Sequence, residues 1–510
     1  MATILTQGRA DVVAFLESGA AFDGACPRRI DTHAAHIFLT GDRAWKLKRA
    51  VRFPYLDFSS PGQRHAALEA ELRLNRRTAP SLYLAVHPIT IDRHRRLAID
   101  GAGDAVDWLL EMRRFADGAL LAEMADNGRL REPLLIKLAD RIVSFHDRAE
   151  PTSVVDGSAH FRDVVAVNVA SMRLFPNQLP ADRVAAVERG SLAVLAKFAS
   201  LLDARGRSGR IRHGHGDLHL ANIAVVNGRP TLFDCVEFSE ELATVDVLYD
   251  VAFLLMDLWH RDLRTEANIV FNRYLDLSSA DEAGVALMPL FLATRAVVRA
   301  HVSAAQDAGD MARRYLDLAL ALLTPVPPRL VAIGGLSGTG KSTLARAIGG
   351  EIARAPGARI LRSDVLRKRL AGVPPETRLP PERYTARATH EVYQLLVQRA
   401  VLALTGGQSV IADAVFVRVT ERGSIAAAAE LAAASFTGLW LSAAGSVRVG
   451  RVAQRGPDAS DADAEVAMIQ SRYRIGRMGD WRVIPAGGSP AETAAAARAA
   501  LDGWLPGGPS

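Results

Sequence analysis

The stretch Arg329-Leu-Val-Ala-Ile-Gly-Gly335-Leu-Ser-Gly-Thr-Gly340-Lys341-Ser342-Thr343 decides the fold of the C-terminal part of the chain. Its first residues form a short apolar run that reads as a buried strand, its second part satisfies G-x-x-x-x-G-K-[ST], and the following TLARAIGGEIA reads as a helix. In that context Gly335, Leu336, Ser337, Gly338, Thr339 and Gly340 form a loop whose backbone N–H groups converge on phosphate oxygens at a helix N-terminus. Lys341 then reaches the outer phosphates, the Ser342 hydroxyl can ligate Mg²⁺, and Thr343 caps or extends that contact. A glycine turn that only joined strand to helix would not require Lys-Ser at those offsets. The expectation is a site for the phosphates of a nucleoside triphosphate.

Downstream, the strand-like runs ARILRSD, QSVIADAVF and FTGLWLSA alternate with helical segments, the pattern of a parallel sheet covered by helices on both faces. Asp413 ends one of these strands, where its carboxylate can hold Mg²⁺ through water. Asp364 follows another, at the sheet edge that carries ligands, and has two readings: a base for a substrate hydroxyl, or an N-cap for the helix VLRKRLAG. Arg451 and Arg455 lie four apart on a predicted helix and either close over the phosphates or belong to a solvated face. The acidic PDASDADAEV after them fits a mobile polar lid. Arg362, Arg367, Lys368 and Arg369 either bind an anionic acceptor or are surface charge.

Upstream, three prolines in Thr324-Pro-Val-Pro-Pro328 end the helical DMARRYLDLALALL and mark a linker. The expected organisation is a domain over 1–323, the linker 324–328, and a domain over 329–510. Within the first, strand-like runs surround a helical segment at 61–78 in a small lobe of about 1–113, and helical patterns dominate a large lobe of about 114–323. HGHGDLHLANIAVVNGRPTLFDCVEF interrupts the helices and reads as loop, strand, Asn-Gly turn and strand. A phosphotransferase needs an Asp for the acceptor hydroxyl, an Asn about five residues on for Mg²⁺, and an Asp on the next hairpin for the same metal. Asp217, Asn222 and Asp234 fill those posts. The spacing of His213, His215 and His219 fits no standard zinc pattern.

His215-Gly-Asp217-Leu-His219-Leu-Ala-Asn222 matches the H-G-D-x-H-x-x-N loop of aminoglycoside phosphotransferase-like and choline-kinase-like enzymes at every fixed position, and the N-terminal region resembles them. The resemblance implies a two-lobed protein-kinase-like fold in which a strand Lys pairs with a helix Glu to hold phosphates. Lys48 with Glu71 is the first assignment; Lys46, on the same strand face, and Glu69 are the alternatives. DWLLEMRRF would then supply the hinge between lobes. Two departures stand out: Gly41 is the only glycine in THAAHIFLTGDRAW ahead of Lys48, and Asp234 opens Asp-Cys-Val-Glu237 where protein kinases have Asp-Phe-Gly. Residues 329 to about 505 resemble small P-loop kinases, with RSDVLRKRL typical of them. Taken whole, through DTHAAHIFLTGDRAWKLKRAVRFPYLDFS, ELRLNRRTAPSLYL and FDCVEFSEEL as well, the chain resembles bacterial fused proteins described as bifunctional phosphotransferase and ATP-binding proteins.

Composition narrows the function classes. With 49% hydrophobic and 23% charged residues over 510, the chain has the makeup of globular domains. A net charge of +6, without a dense basic run interleaved with aromatics, argues against a nucleic-acid partner. The opening MATILTQGRADVVAFLESG lacks the basic and apolar regions of a signal peptide, no long apolar run predicts a membrane span, and Cys26 and Cys235 read as buried thiols; the expected location is the cytoplasm. The combined expectation is an ATP- and Mg²⁺-dependent phosphotransferase of mixed α/β and α+β class acting on a small hydroxylated acceptor. Its alternatives are an N-terminal domain that only binds, and a C-terminal domain that hydrolyses ATP as a switch. These residues do not specify the acceptor or the oligomeric state.

Overall fold

The structure, a computed structural model, describes residues 11–32, 34–53, 56–454, 456 and 458–501. The chain divides into two compact units, Met1–Val154 with Ser208–Asp250, and Val155–Arg207 with Val251–Ser510. The second unit therefore runs across the proline-rich segment 324–328.

The first unit is built on a six-stranded antiparallel sheet in the order Arg28–Asp31, Ala35–Thr40, Arg43–Lys48, Asp104–Arg113, Tyr83–Ile91, Leu97–Ile99. The period of two along Arg43–Lys48 sets its chemistry. Trp45 and Leu47 join an apolar cluster with Val12, Leu16, Phe38 and Leu109, while Lys46 and Lys48 reach Glu71. Glu71 belongs to the helix Pro61–Asn75, which opens on a Ser60–Gln63 capping box with proline in its first turn. Leu68 and Leu72 of this helix bury against Tyr83 and Leu110. The remainder of the unit carries the helix Glu132–Arg148 and the hairpin Ile223–Val226 with Arg229–Leu232. Both turn residues of that hairpin, Asn227 and Gly228, have positive φ (50° and 72°), the requirement the Asn-Gly pair meets in a tight hairpin.

The second unit contains the expected parallel sheet, in the order Arg359–Arg362, Val410–Asp413, Arg329–Gly334, Ser435–Ser442, Arg482–Pro485. Its central strand is buried on both faces: Leu330 and Ala332 enter one apolar cluster, Val331 and Ile333 the other. Helices that include Gly157–Arg173, Ala181–Lys197, Arg264–Leu277, Met288–Ala305 and Gly309–Leu323 make up the rest. The stretch Ser279–Ala305 is long and apolar enough to cross a membrane, and 83% of its most apolar window is buried inside the unit.

The helix Arg264–Leu277 closes the exposed edge of the parallel sheet. Asn268 and Asn272, four apart and so on one helix face, reach the edge strand as a neighbouring strand would. Asn268 Nδ2 donates to the Pro356 and Ala358 carbonyls at 3.0 and 2.9 Å, and Asn272 Oδ1 accepts from the Ile360 N–H at 2.7 Å. Gly349 makes this approach possible, since a Cβ there would stand 2.4 Å from Asn268 Oδ1. On the same strand Arg359, 1% exposed, pairs with Glu282 at 2.7 Å and Asp276 at 2.8 Å. Burial alone would raise the Glu282 pKa, yet the Arg359 guanidinium brings it below the ordinary carboxylate value. Asn272→Ala would leave the Ile360 N–H buried without a partner, and should lower the unfolding free energy by about 1–3 kcal/mol in a denaturant titration.

Candidate functional site

In the second unit the strand Arg329–Gly334 delivers the glycine-rich loop to the N-terminus of the helix Lys341–Gly349, with Gly340 in the left-handed region (φ +92°) as its N-cap. Gly338 is required on two counts: its φ is +85°, and a Cβ would lie 2.4 Å from the Arg448 carbonyl oxygen. The loop is braced by Thr339 Oγ1 donating to the Leu336 carbonyl at 2.8 Å, by Gln470 Oε1 accepting from the Ser337 N–H at 2.7 Å, and by Arg448 Nη1 donating to the Ser337 carbonyl at 3.3 Å. Lys341 Nζ donates to the Leu336 carbonyl at 3.3 Å, and Thr343 is exposed.

Ser342 Oγ donates to Asp413 Oδ2 at 2.5 Å. Parallel pairing produces the juxtaposition, because Asp413 stands opposite Ile333, just before the loop. Burial raises the Asp413 pKa, outweighing the opposite pull of Lys341, Arg362 and the Ser342 hydroxyl. A hydroxyl and a carboxylate in contact beside the glycine-rich loop are oxygen donors of the kind Mg²⁺ takes, water and phosphate oxygens completing its octahedron, so these residues fit that metal. Arg362 Nε lies 3.7 Å from Asp413 Oδ2, and Arg362 Nη2 binds both Asp458 oxygens at 3.0 and 2.8 Å.

Asp364 is the second residue of the helix Ser363–Leu370, whose N-cap position belongs to Arg362. Of the two arginines considered for a lid, Arg451 turns to the Ala486 and Gly488 carbonyls at 2.7 and 2.5 Å, and Arg455 lies outside the described residues. Arg448, one turn before Arg451, is the arginine of that helix that reaches the phosphate loop. Only its three-residue offset from Arg451 hints at this in the sequence.

In the first unit Lys46 Nζ sits 2.7 Å from both Glu71 Oε1 and Asp234 Oδ1, and Lys48 Nζ is 2.6 Å from Glu71 Oε2 and 2.5 Å from Glu237 Oε1. Both lysines thus share Glu71, which is fully buried, while Glu69 is solvent-exposed beside His65. Burial alone would lower the pKa of either lysine; the carboxylates overcome it, and both are raised. Burial likewise opposes the Asp234 charge, but Lys46 and Lys48 bring its pKa below the ordinary value. At Glu237 burial dominates, and the pKa rises.

The loop with Asp217 is tied from within and from behind. Asn222 Nδ2 donates to Asp217 Oδ2 at 2.8 Å and to the Asp217 carbonyl at 3.0 Å. Behind it Asp250 accepts from the His215 N–H at 2.7 Å and the Gly216 N–H at 3.0 Å, with His146 Nε2 at 3.2 Å. His215 is buried, which lowers its pKa, and its Nε2 lies 3.0 Å from the Phe233 carbonyl. These contacts form a scaffold behind the loop; among the described residues, no three His, Cys, Asp or Glu side chains are grouped to hold a metal. Asp250, the anchor of that scaffold, lies 28 residues beyond Asn222 in sequence and outside the motif.

Three comparisons bear on this arrangement. A family model described as an AAA domain matches residues 330–474. An uncharacterized protein of Mycobacterium tuberculosis (strain ATCC 25618 / H37Rv) is 31% identical over 468 residues, covering 88% of this chain and 90% of its own length. The chain belongs to the family of this mycobacterial protein. A second member, from Mycobacterium bovis, aligns with the same identity and coverage. A choline/ethanolamine kinase family protein from Mesorhizobium loti aligns over 62% of this chain and 96% of its own at 14% identity (TM-score 0.39). A gluconokinase from Sinorhizobium meliloti 1021 aligns over 35% and 93% at 19% identity (TM-score 0.25). Removing the Asp250 anchor should be costly: Asp250→Ala strands two buried N–H groups and is expected to destabilise by about 3 kcal/mol or more, read by thermal or chemical unfolding.

Proposed function

We propose that the protein is a cytoplasmic, ATP-using phosphotransferase with two nucleotide sites, one in a domain of 1–323 and one in a domain of 329–510 joined by 324–328. The contact of Ser342 Oγ with Asp413 Oδ2 beside the Lys341 loop is the observation that supports the C-terminal site, and the Lys46 pairs with Glu71 and Asp234 support the other. At this site the loop of residues 335–343, through N–H groups other than those of Gly335, Ser337 and Thr339, and Lys341 hold the phosphates, and Ser342 and Asp413 would hold Mg²⁺. When bound, the metal neutralises charge on the phosphate oxygens. Asp364 accepts the proton of an acceptor hydroxyl; that oxygen bonds to the γ-phosphorus as the bond to the bridging oxygen breaks, and ADP leaves.

In the other domain Asp217 takes the corresponding proton, with its carboxylate oriented by Asn222. Asn222 and Asp234 would hold a metal ion there, supplying charge neutralisation at the phosphates. Lys46, between Glu71 and Asp234, is better placed than Lys48 for the phosphate-holding role, and Lys48 supports it by fixing Glu71 and Glu237. A second reading, that this domain only binds a metabolite, is favoured by the closure of both lysines on three carboxylates.

Mg²⁺-ATP turnover with a panel of small hydroxylated acceptors tests the assignment. Lys341→Ala and Asp217→Ala are each expected to abolish a separate activity. Asp364→Asn should reduce transfer at the P-loop site by about 10²–10⁴-fold and leave ATP binding intact. Full turnover in Asp217→Ala would support the second reading, and normal transfer by Asp364→Asn would remove the base from the mechanism. Release of phosphate to water alone, with every acceptor unchanged, would make the C-terminal domain a switch.

A further inference from the structure

The acidic run after the helix Gly445–Ala453 places its carboxylates where donors for an anion converge. Asp461 Oδ2 accepts from three groups: Lys368 Nζ, Tyr384 Oη and, at 3.0 Å, the Leu379 N–H. Lys368 is 1% exposed. The Arg367 guanidinium lies 4.7 Å from the Tyr384 ring centre, and Arg367 Nη1 donates to the Arg383 carbonyl at 2.7 Å. Beside this set, Arg362 holds Asp458. The cluster has a donor that these two aspartates do not use: Arg367 Nε is buried without a hydrogen-bond partner, whereas Arg362 Nε faces Asp413 at 3.7 Å. Buried donors in that state are rare in folded proteins and mark a place where a further acceptor belongs.

The cluster adjoins Asp364, the proposed base for the acceptor hydroxyl. Lys368 follows Asp364 by four residues on the helix Ser363–Leu370, so the two occupy one helix face a turn apart. At the other end Arg362 Nε is 3.7 Å from Asp413, the carboxylate bonded to Ser342.

We propose that Lys368, Tyr384 and the Leu379 N–H form a subsite for a carboxylate or phosphate group on the acceptor, and that Asp461 occupies this subsite until the acceptor displaces it. The proposal rests on the reading of Asp364 as the base for the acceptor hydroxyl, and it adds that the acceptor is anionic. Exchange of one anion for another explains the internal carboxylate. A buried ammonium left without a counter-charge is costly, and Asp461 keeps Lys368 paired in the empty enzyme. A neutral polyol would meet the base but would leave Lys368 to Asp461.

Titration calorimetry on the full chain with erythritol, erythronate and erythritol 4-phosphate tests this. Wild type should bind at least one of the two anions more tightly than erythritol. Asp461→Asn should tighten that anion at least fivefold and leave erythritol unchanged, and Lys368→Met should weaken it at least tenfold. The anion that responds identifies the group as carboxylate or phosphate. Hydrogen exchange on wild type gives a check that needs no variant: peptides covering 458–463 should exchange faster when the anion saturates the protein. Unchanged anion affinity in Asp461→Asn, no binding of either anion to that variant, or unchanged exchange at 458–463 overturns the subsite. If Asp364→Asn is inactive while those results hold, only the subsite falls; normal transfer by Asp364→Asn brings down the reading of the site beneath it.

Discussion

The ion pair of buried Arg359 with buried Glu282 and partly exposed Asp276 ties the edge strand of the parallel sheet to the neighbouring helical segments. Arg359 opens the edge strand of the parallel sheet, and that strand runs directly into Arg362 and then Asp364. Glu282 also binds Arg369, at 3.2 Å, on the helix that carries Asp364 and Lys368. One carboxylate therefore fixes both the strand before Asp364 and the helix after it. Buried ion pairs add little net stability, but loss of one partner leaves an uncompensated charge, so such a pair enforces one arrangement. Asn268 and Asn272 extend the same logic to the backbone by satisfying the strand edge that the sheet itself leaves open.

The consequences pass from packing to chemistry through short connections. Parallel pairing puts Asp413 next to the strand that feeds the phosphate loop, and the loop returns Ser342 to Asp413. Close approach of the Arg448 backbone makes glycine necessary at 338, so the helix Gly445–Ala453 and the loop constrain each other. In the first unit the two-residue period of one strand sends Lys46 and Lys48 to a single buried glutamate. The acidic segment joins these schemes as a set of internal counter-ions for Arg362 and Lys368.

How much of this was legible in the sequence depended on whether each feature was local. The parallel sheet and its loop could be read because strand, glycine spacing, Lys-Ser and helix are contiguous. The Asn227-Gly228 hairpin was readable for the same reason. The choice between Lys46 and Lys48 was not, since both share a strand face and both pair with Glu71. Asp250 escaped notice because its role is to receive backbone N–H groups from a loop more than thirty residues earlier. Asn268 and Asn272 carry no motif; only the unpaired strand edge gives them meaning. The acidic run 457–466 read as a mobile lid, because composition cannot reveal that Asp458 and Asp461 meet buried cations.

Whether the chain carries two nucleotide sites is tested by the stoichiometry of a non-hydrolysable ATP analogue with Mg²⁺ on the full chain. Two should bind per chain in wild type and one in Lys341→Ala, with the remaining site lost on further substitution of Lys46. One nucleotide per chain in wild type, abolished by Lys341→Ala alone, would contradict the two-site reading.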